Sequence, residues 1–420
     1  MRIQVVEHYG GAHHSNYIEA LVPALADLVR RGIAREAIVT TTERHVTELQ
    51  KNSTLAEHYA EHVRLDPSLP ESNPNPSLKD RSRICSNLIA AVERVNPCYL
   101  VSTSSDFESL FLGLRKILGR RTLPRGVTSV GIFHYGYAGT SGLRPRDQVK
   151  EWVYRFGRAN ADYSHSLFVN PMIYEALVPA GENRKRMGLL PDPVPPPGPL
   201  EKSPARETLG LPSDGRLIGF VGVMDTRKAI PELIAAFIAA TLKPNDRLLL
   251  AGRLDPSYRS LIEREHSELL REGRILLLDR HLSSEELAAG YAALDVAAVL
   301  QYRRPNLSAN LLKAIAAQRP VLVDDFGYTG MMVKRFGVGR ATDLTDRSAL
   351  ASTLRTVLDE SATYAPTPRT KRLIEFHHPT NFAKTILGKL EGLLPSTDAC
   401  EMKTWEWVCD AAAAPALATP

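Results

Sequence analysis

DVAAVLQYRRPNLSANLLKAIAAQRPVLVDDFG, from Asp295 to Gly327, is the stretch that decides the fold. It begins with a β-branched apolar run, continues through a polar loop, and then places apolar residues at helical spacing from Leu307 to Gln318. We expect Asn306 to cap this helix, Arg319-Pro320 to end it and a second buried strand to follow. The stretch therefore predicts a strand–helix–strand unit of a parallel sheet.

The loop inside this unit is the first candidate for a ligand site. Its side chains are polar or cationic: Tyr302, Arg303, Arg304, Asn306, Ser308 and Asn310. In open α/β sheets, ligands bind where strands end and helices begin, and helix N-termini attract anions. Two arginines at such a place indicate a ligand that carries phosphate.

Strand-like and helix-like runs alternate through nearly the whole chain. The predicted strands are Ile3–Glu7, Ala37–Thr40, Cys98–Ser102, Thr128–His134, Ser166–Val169, Leu217–Val223, Arg247–Gly252, Arg274–Leu278, Asp295–Leu300 and Pro320–Val323. The predicted helices include Asn16–Arg31, Arg81–Val95, Phe107–Leu118, Asp147–Ala159, Pro231–Thr241, Ser257–Arg271, Ser284–Ala293 and Leu307–Gln318. This alternation predicts an α/β fold class, with two Rossmann-like, doubly wound domains that face a central cleft.

A proline-rich stretch separates the two halves. Residues 191–204 begin with Pro191-Asp192-Pro193-Val194-Pro195, and proline at this density extends as polyproline II, which predicts a hinge. We expect one domain at 1–190 and a second at 205–375, with the cleft between them as a preferred ligand site. Residues 396–420 are rich in alanine and proline and are expected to form a flexible tail.

Bulk composition narrows the function classes. The 420 residues are 44% hydrophobic and 24% charged, which is typical of a soluble globular protein with about two domains. A net charge of +5 suits an anionic substrate or membrane surface and is too small to indicate nucleic acid. The sequence shows no signal peptide, no membrane-spanning run and no CxxC spacing among its four cysteines, so we expect a cytoplasmic protein.

Two glycines follow the first predicted strand. In HYGGAHHSNYIEAL, Gly10 and Gly11 precede Ser15, a candidate N-cap, and an amphipathic helix. Glycine lets a ligand approach the backbone closely, although a tight strand-to-helix turn would explain the pair equally well. The adjacent His13 and His14 cannot easily share one metal ion, so no metal site is expected here.

A second glycine, Gly222, follows the first strand of the second half. The segment Gly222-Val223-Met224-Asp225-Thr226-Arg227-Lys228 places two cations before a helix, which suits a diphosphate. The alternative is an exposed charged pair. GxxxxGK[ST] and GxGxxG are both absent, which disfavours a dinucleotide cofactor.

Two further segments carry candidate chemistry. His134 ends an apolar strand, where a histidine faces the ligand crevice and can bind a sugar or act as a base; the alternative is a structural histidine. FLGLRKILGRRTLPR, residues 111–125, combines five basic residues with Leu and Ile. This composition fits peripheral contact with an anionic membrane, and a solvated helix face is the alternative.

Together these segments resemble the nucleotide-sugar glycosyltransferases of the GT-B fold, family 4 in particular, over most of residues 1–395. The resemblance is most specific in ETLGLPSDGRLIGFVG, LLLAGRLDP, SSEELAAGYAALDVAAVL and NLLKAIAAQRPVLVDDFG. It implies a sugar donor held mainly by the second domain and an acceptor held mainly by the first. It also implies metal-independent transfer that retains the anomeric configuration, and a late helix at about 380–394 that crosses back to the first domain.

The resemblance also assigns roles to particular residues. His134 corresponds to a histidine near the transferred sugar, and Lys228 to the lysine that binds the diphosphate. The arginine that follows the glycine in the family is Val223 here, and Arg227 is expected to supply that charge instead. His134, Arg227 and Lys228 are therefore the expected catalytic residues. The expected donor-binding residues are Gly10, Gly11, Gly222, Arg253, Asn306, Ser308 and Asn310. The paired glutamates of the family fall at Pro305 and Lys313, so both are missing.

The resemblance implies a glycosyltransferase that moves a sugar from a nucleotide-sugar donor to the hydroxyl of a glycan, a lipid-linked sugar or a protein. The nucleotide sugar is a co-substrate, and no cofactor or metal is expected. Two alternatives remain: a nucleotide-sugar-binding protein without catalysis, and a nucleotide-sugar epimerase on the same fold. Neither the sugar nor the nucleotide base follows from the sequence.

Overall fold

Two parallel β-sheets organise the chain in the computed structural model. The structure describes residues 1–73, 75–177, 186–195, 201–394 and 401–410. For Ala12 and His13 it describes the backbone only. The chain divides into two units. Unit 1 comprises Met1–Pro193 and Phe376–Glu406, and unit 2 comprises Val194–Glu375 and the residues from Trp407. Residues 196–200 of the expected hinge, and 396–400 and 411–420 of the expected tail, lie outside the described residues.

Unit 1 contains a sheet of seven described strands in the order β3-β2-β1-β4-β5-β6-β7. Their bounds are β1 Arg2–Val6, β2 Glu36–Thr42, β3 Val63–Leu69, β4 Tyr99–Ser102, β5 Thr128–Phe133, β6 His165–Phe168 and β7 Met187–Leu189. Every pairing is parallel. Central strands are apolar on both faces because helices cover both, and Ile3, Val5 and Val6 are all 0% exposed.

The helices of unit 1 connect these strands. They are α1 Ala12–Arg30, α2 Glu43–Leu49, α3 Ala56–Glu61, α4 Leu78–Val95, α5 Ser105–Ile117, α6 Pro145–Asn160 and α7 Pro171–Leu177, with a short 3₁₀ turn at Ser53–Leu55. A later helix, Pro379–Leu387, belongs to the same unit, and its Phe382 ring lies 5.0 Å from the Tyr17 ring on α1. The region at 380–394 is thus part of the N-terminal unit.

Unit 2 contains a sheet of six described strands in the order β10-β9-β8-β11-β12-β13. The strands are β8 Leu217–Val221, β9 Arg247–Ala251, β10 Ile275–Leu278, β11 Val296–Val299, β12 Val321–Asp324 and β13 Gly339–Thr342. The remaining helices within the described ranges are α8 Lys202–Thr208, α9 Ile230–Ala239, α10 Pro256–Glu265, α11 Ser267–Arg271, α12 Ser284–Ala293, α13 Ala309–Ala316, α14 Gly327–Phe336, α15 Arg347–Glu360, α16 Pro368–Phe376, α17 Pro379–Leu387 and α18 Trp405–Cys409, with a 3₁₀ turn at Ser361–Thr363.

Both sheets reverse their strand order next to their first strand. β1 lies between β2 and β4, and β8 lies between β9 and β11. Loops at the carboxyl ends of these strands diverge to opposite faces and leave room for a ligand. The fold class predicted from the sequence, two Rossmann-like doubly wound domains, is confirmed.

Local predictions needed two kinds of correction. Strands β3, β7 and β13 were not predicted, and all three lie at the edge of a sheet. The single helix expected at Ser257–Arg271 is wrong, because His266 leaves the helical conformation (φ −131°, ψ 23°) and separates α10 from α11. Edge strands are covered by a neighbouring strand on one side only and bury less apolar surface, so their sequence pattern is weaker.

Candidate functional site

The loops after β8 and β9 meet at the carboxyl edge of the unit 2 sheet. The Met224 amide donates to the Arg253 carbonyl at 2.9 Å, which holds the two loops together, and the Arg253 side chain is exposed. A side chain on Gly222 would lie 3.2 Å from the Asn310 side-chain nitrogen. Three residues expected to bind the donor, Gly222, Arg253 and Asn310, therefore share one edge of this sheet.

Lys228 is a buried cation on this edge. Its side chain is 9% exposed, and its Nζ lies 5.8 Å from the centre of the Phe220 ring. Within the described part of the chain, no group accepts a hydrogen bond from Nζ, and none forms an ion pair with it. Burial, with further contributions from Arg304 and Arg227, lowers the pKa of Lys228 to about 8, although Asp225 opposes the shift. An anion at this position would remove the cost of burying the charge.

Arg227 differs from Lys228 because its charge is balanced locally. Its Nε and Nη2 atoms donate to the two carboxylate oxygens of Asp225 at 2.9 and 2.5 Å. The Arg227 side chain is 62% exposed, so this pair contributes little to stability. Lys228 is therefore the stronger candidate for the diphosphate contact.

The loop that carries these cations is joined to the loop after β11. Lys228 and Gln301 form an antiparallel bridge, and the Tyr302 amide donates to the Arg227 carbonyl at 3.2 Å. Gln301 in turn donates from Nε2 to the Ser308 hydroxyl at 2.9 Å. The two loops singled out in the sequence thus form one continuous structure.

The predicted cap of the helix after this loop is wrong. Helix α13 begins at Ala309, and its N-cap is Ser308 rather than Asn306. The Ser308 hydroxyl accepts a hydrogen bond from Gln301 and caps no backbone amide of α13. The side chain of the N-cap residue therefore leaves the N-terminal amides of α13 uncapped, and Asn310 lies in the first turn.

Arg303 is held in an uncommon conformation between two loops. Its φ is 38°, its amide donates to Asp324 at 3.3 Å, and its guanidinium lies 4.3 Å from the centre of the Phe326 ring. Burial raises the pKa of Asp324 to about 6, although hydrogen bonds from backbone amides act to lower it. Asp324 was not predicted, and it is a carboxylate beside a loop that lacks the expected glutamates.

The glycine pair of unit 1 precedes helix α1. Gly11 has a φ of 102° and is the N-cap, so the helix begins at Ala12 and the prediction that Ser15 caps it is wrong. A β-carbon on Gly11 would meet no atom within 4 Å, whereas one on Gly10 would lie 3.2 Å from the His45 β-carbon. Position 10 is therefore packed tightly against His45, whereas Gly11 leaves open space beside the backbone among the described residues.

A buried carboxylate, Glu7, organises the same edge. It accepts hydrogen bonds from the Thr103 hydroxyl at 2.6 Å, the Ser104 hydroxyl at 2.8 Å and the Tyr9 amide at 2.8 Å. His14 Nδ1 lies 2.9 Å from Glu7 Oε2, the oxygen that also accepts the Thr103 hydroxyl. Burial raises the pKa of Glu7, but the charge of His14 and these hydrogen bonds hold it well below its usual range.

His134 directly follows β5 and is enclosed by side chains of unit 1. Its ring stacks on Tyr17 at 5.3 Å, and its Nδ1 lies 3.5 Å from an Asp106 carboxylate oxygen. Asp106 also accepts the His134 backbone amide at 2.6 Å. The His14 and His134 rings are 6.3 Å apart. Gly11, His14 and His134 therefore lie at one carboxyl edge.

Sequence reasoning missed Glu7, Asp106 and Asp324 as members of these edges. Glu7 ends a predicted strand, Asp324 directly follows one, and Asp106 lies in the polar run that begins at Ser102, the last residue of a predicted strand. A search for carboxylates at the carboxyl ends of strands would have found them. Among the described residues, no group of three or more His, Cys, Asp or Glu side chains is placed to hold a metal ion.

Residues 215–360 match the family model described as Glycosyl transferases group 1. This segment is a group 1 glycosyltransferase domain. It contains the donor-side candidates of unit 2, which are Gly222, Arg227, Lys228, Arg253, Asn306, Ser308 and Asn310. Gly10, Gly11 and His134 lie outside it. The predicted resemblance and enzyme class, glycosyltransferase, are confirmed at the level of this domain. The full sequence matches no curated protein.

Solved structures share the fold of the whole chain. HepE of Anabaena, solved in complex with UDP, is 15% identical with a TM-score of 0.62, covering 93% of this chain and 99% of its own. Sucrose-phosphate synthase from Thermosynechococcus elongatus is 18% identical with a TM-score of 0.60, and the match covers 97% of this chain and 96% of the synthase. A protein described as a UDP-N-acetylglucosamine 2-epimerase, from Listeria monocytogenes, is 16% identical with a TM-score of 0.58, covering 93% and 96%. The fold is therefore GT-B, and by itself it does not separate transferases from epimerases.

Proposed function

We propose that the protein transfers a sugar from a nucleotide-sugar donor to an acceptor hydroxyl, and that Lys228 binds the diphosphate of the donor. The observation that carries the proposal is the buried Lys228 ammonium, which has no hydrogen-bond acceptor among the described residues. The group 1 glycosyltransferase domain around it and the UDP bound by HepE support a nucleoside diphosphate as the missing anion.

The chemistry needs charge stabilisation at the leaving group. As the bond from the anomeric carbon to the diphosphate oxygen breaks, negative charge grows on the diphosphate. A preorganised cation in a dry site stabilises that charge, and removing one such group typically lowers the rate by about 10²–10³. The buried ammonium of Lys228 and the uncapped amides of α13 are suited to this role without a metal ion.

Retention of the anomeric configuration is part of the proposal and is supported by the family resemblance alone. In a retaining transfer the acceptor attacks on the face from which the diphosphate departs, and the departing phosphate oxygen takes the acceptor proton. His134 would then bind the transferred sugar, since its imidazole is oriented by Asp106. The acceptor classes are a glycan, a lipid-linked sugar or a protein, and a cytoplasmic location stays a prediction.

A panel of nucleotide sugars tests the proposal. Incubation of the wild-type protein with UDP-, GDP- and ADP-sugars should release nucleoside diphosphate from at least one donor when acceptor is present. Lys228→Ala should lower that release at least about tenfold, whereas Lys371→Ala, an exposed lysine of unit 2, should leave it unchanged.

The same panel separates the alternatives. Thermal stabilisation by a nucleotide sugar without release of nucleotide would identify a binding protein. Conversion of the sugar to an epimer would identify an epimerase. A Lys228→Ala variant with wild-type turnover and wild-type affinity would remove Lys228 from the site.

A further inference from the structure

Half of the large apolar side chains that are exposed in the described chain lie on two helices of unit 1. On and just after α5 they are Leu114, Ile117 and Leu118, with 37%, 61% and 65% exposure, and on α6 they are Val149 and Trp152, with 65% and 68%. Single exposed apolar residues are common and need no explanation, but a group on two neighbouring helices that makes up half of them indicates a binding surface.

The two helices are neighbours, and their contacts place Val149 and Trp152 toward one end of the pair and Leu114, Ile117 and Leu118 toward the other, so the group is elongated. A β-carbon on Gly113 of α5 would lie 2.8 Å from the Asn160 β-carbon, and one on Gly157 of α6 would lie 2.8 Å from the Ser109 hydroxyl oxygen. These glycines let the helix backbones approach closely, with both helices running in the same direction. The Trp152 ring also stacks on Phe156 at 6.1 Å, which extends the apolar stripe along α6.

Cations lie next to these apolar residues along the chain, since Arg120 and Arg125 follow Leu118 and Arg155 lies about one turn after Trp152 on α6. Arg120, Arg125 and Arg155 are exposed, and within the described ranges none of them forms an ion pair. Other basic residues of the segment are engaged inside the protein: Lys116 pairs with Asp162 at 2.9 Å, and Arg121 with Glu93 at 2.8 Å. The acidic side chains nearby are therefore already neutralised, and the surface has a net positive charge.

We propose that α5 and α6 bind the surface of an anionic phospholipid bilayer. Apolar side chains that include a tryptophan, with arginines next to them along the chain, fit the interface of a membrane, where the rings enter the headgroup region and the cations meet lipid phosphates. No helix in the described part of the chain is long and apolar enough to span a bilayer, so the contact is peripheral. The surface differs from the segment 111–125 expected from the sequence, because it adds α6.

Co-sedimentation with vesicles tests the proposal. The wild-type protein should bind phosphatidylcholine vesicles that contain phosphatidylglycerol, bind pure phosphatidylcholine much more weakly, and dissociate as salt is raised. The double variant Ile117→Glu/Trp152→Glu should lose at least about tenfold in partitioning, because each apolar side chain no longer enters the lipid. The triple variant Arg120→Glu/Arg125→Glu/Arg155→Glu should lose at least about fivefold per residue.

Matched changes elsewhere on the surface provide the controls. Ile238→Glu replaces an apolar residue of unit 2 with 50% exposure, and Arg264→Glu with Arg271→Glu reverses two exposed charges. All three should bind vesicles as the wild type does. Nucleotide-induced stabilisation should be unchanged in every variant, so this test is independent of the proposed function.

Two outcomes would overturn the proposal. One is wild-type protein that stays in the supernatant with phosphatidylglycerol vesicles at low salt. The other is a wild-type dimer, seen by light scattering, that becomes a monomer in the variant Ile117→Glu/Trp152→Glu although the variant still binds vesicles. That result would identify the surface as an interface between two copies of the chain.

Discussion

A β-carbon on Gly252 would lie 2.1 Å from the carbonyl oxygen of Gly222, so the two glycines hold the loops after β8 and β9 in direct backbone contact. Both residues have a φ of 124°. The donor-side candidates are arranged around this crossing, and any side chain at position 252 would separate the two loops.

Gly252→Ala should therefore destabilise the protein by about 3 kcal/mol or more, because the added methyl group clashes with fixed backbone at a strained φ. Gly273→Ala is the matched control, since its φ of 69° is also positive but its β-carbon would meet no atom within 4 Å. It should cost only about 1 kcal/mol. Urea denaturation measures both, and equal losses would show that conformational strain rather than the loop crossing sets the cost.

Lys228→Met should stabilise the ligand-free protein while it weakens nucleotide binding. The pKa of Lys228 falls from 10.5 to about 8 in the folded state, so the charged form is disfavoured there. A shift of this size corresponds to about 3–4 kcal/mol that the folded protein loses at neutral pH. Chemical denaturation at pH 7 should show a gain in the free energy of unfolding, and UDP should stabilise the variant less than the wild type.

The pH dependence of that effect has a defined sign. Between pH 8 and about 10.5 the unfolded chain keeps the Lys228 proton and the folded chain releases it, so wild-type stability rises with pH in this window. Lys228→Met lacks the rise, and its advantage should disappear above the window. An advantage that is constant from pH 7 to 10.5 would show that the gain comes from apolar packing instead.

Glu7→Gln should destabilise unit 1 by about 3–5 kcal/mol, because it breaks a buried charged network that includes His14. The pKa of Glu7 lies well below its usual range in the folded protein. Its stabilisation is therefore present above the unfolded pKa, and it is lost as pH falls toward the folded value. The difference between wild type and variant should shrink as pH falls below about 4.3, and the exposed Glu57→Gln should show no such difference.

Asp324→Asn should stabilise the protein at pH 7 by about 1–2 kcal/mol, since an amide oxygen still accepts the Arg303 amide without a buried charge. Burial raises the pKa of Asp324 from its ordinary value of 3.8 to about 6 in the folded protein. Wild-type stability should thus fall as pH rises between these values. The gain from the variant should appear across that window in urea denaturation, and a gain already present at pH 3 would rule out the charge as its cause.

The sequence by itself determined the fold class, because apolar runs of β-branched residues that alternate with helical spacing can be buried only in covered parallel sheets. It also located Gly222, Lys228 and Ser308 on loops at the carboxyl ends of strands. These are local properties, since spacing and loop position follow from residues that are close in the chain.

Only the tertiary structure decided which of these residues act together. The bond from Gln301 to Ser308 took that serine away from capping α13, and Asp225 balanced the charge of Arg227 but left Lys228 buried without an acceptor among the described residues. Glu7 meets Thr103 across 96 positions of sequence. Desolvation and hydrogen bonding depend on neighbours brought together by folding, so no pattern read along the chain could have fixed them.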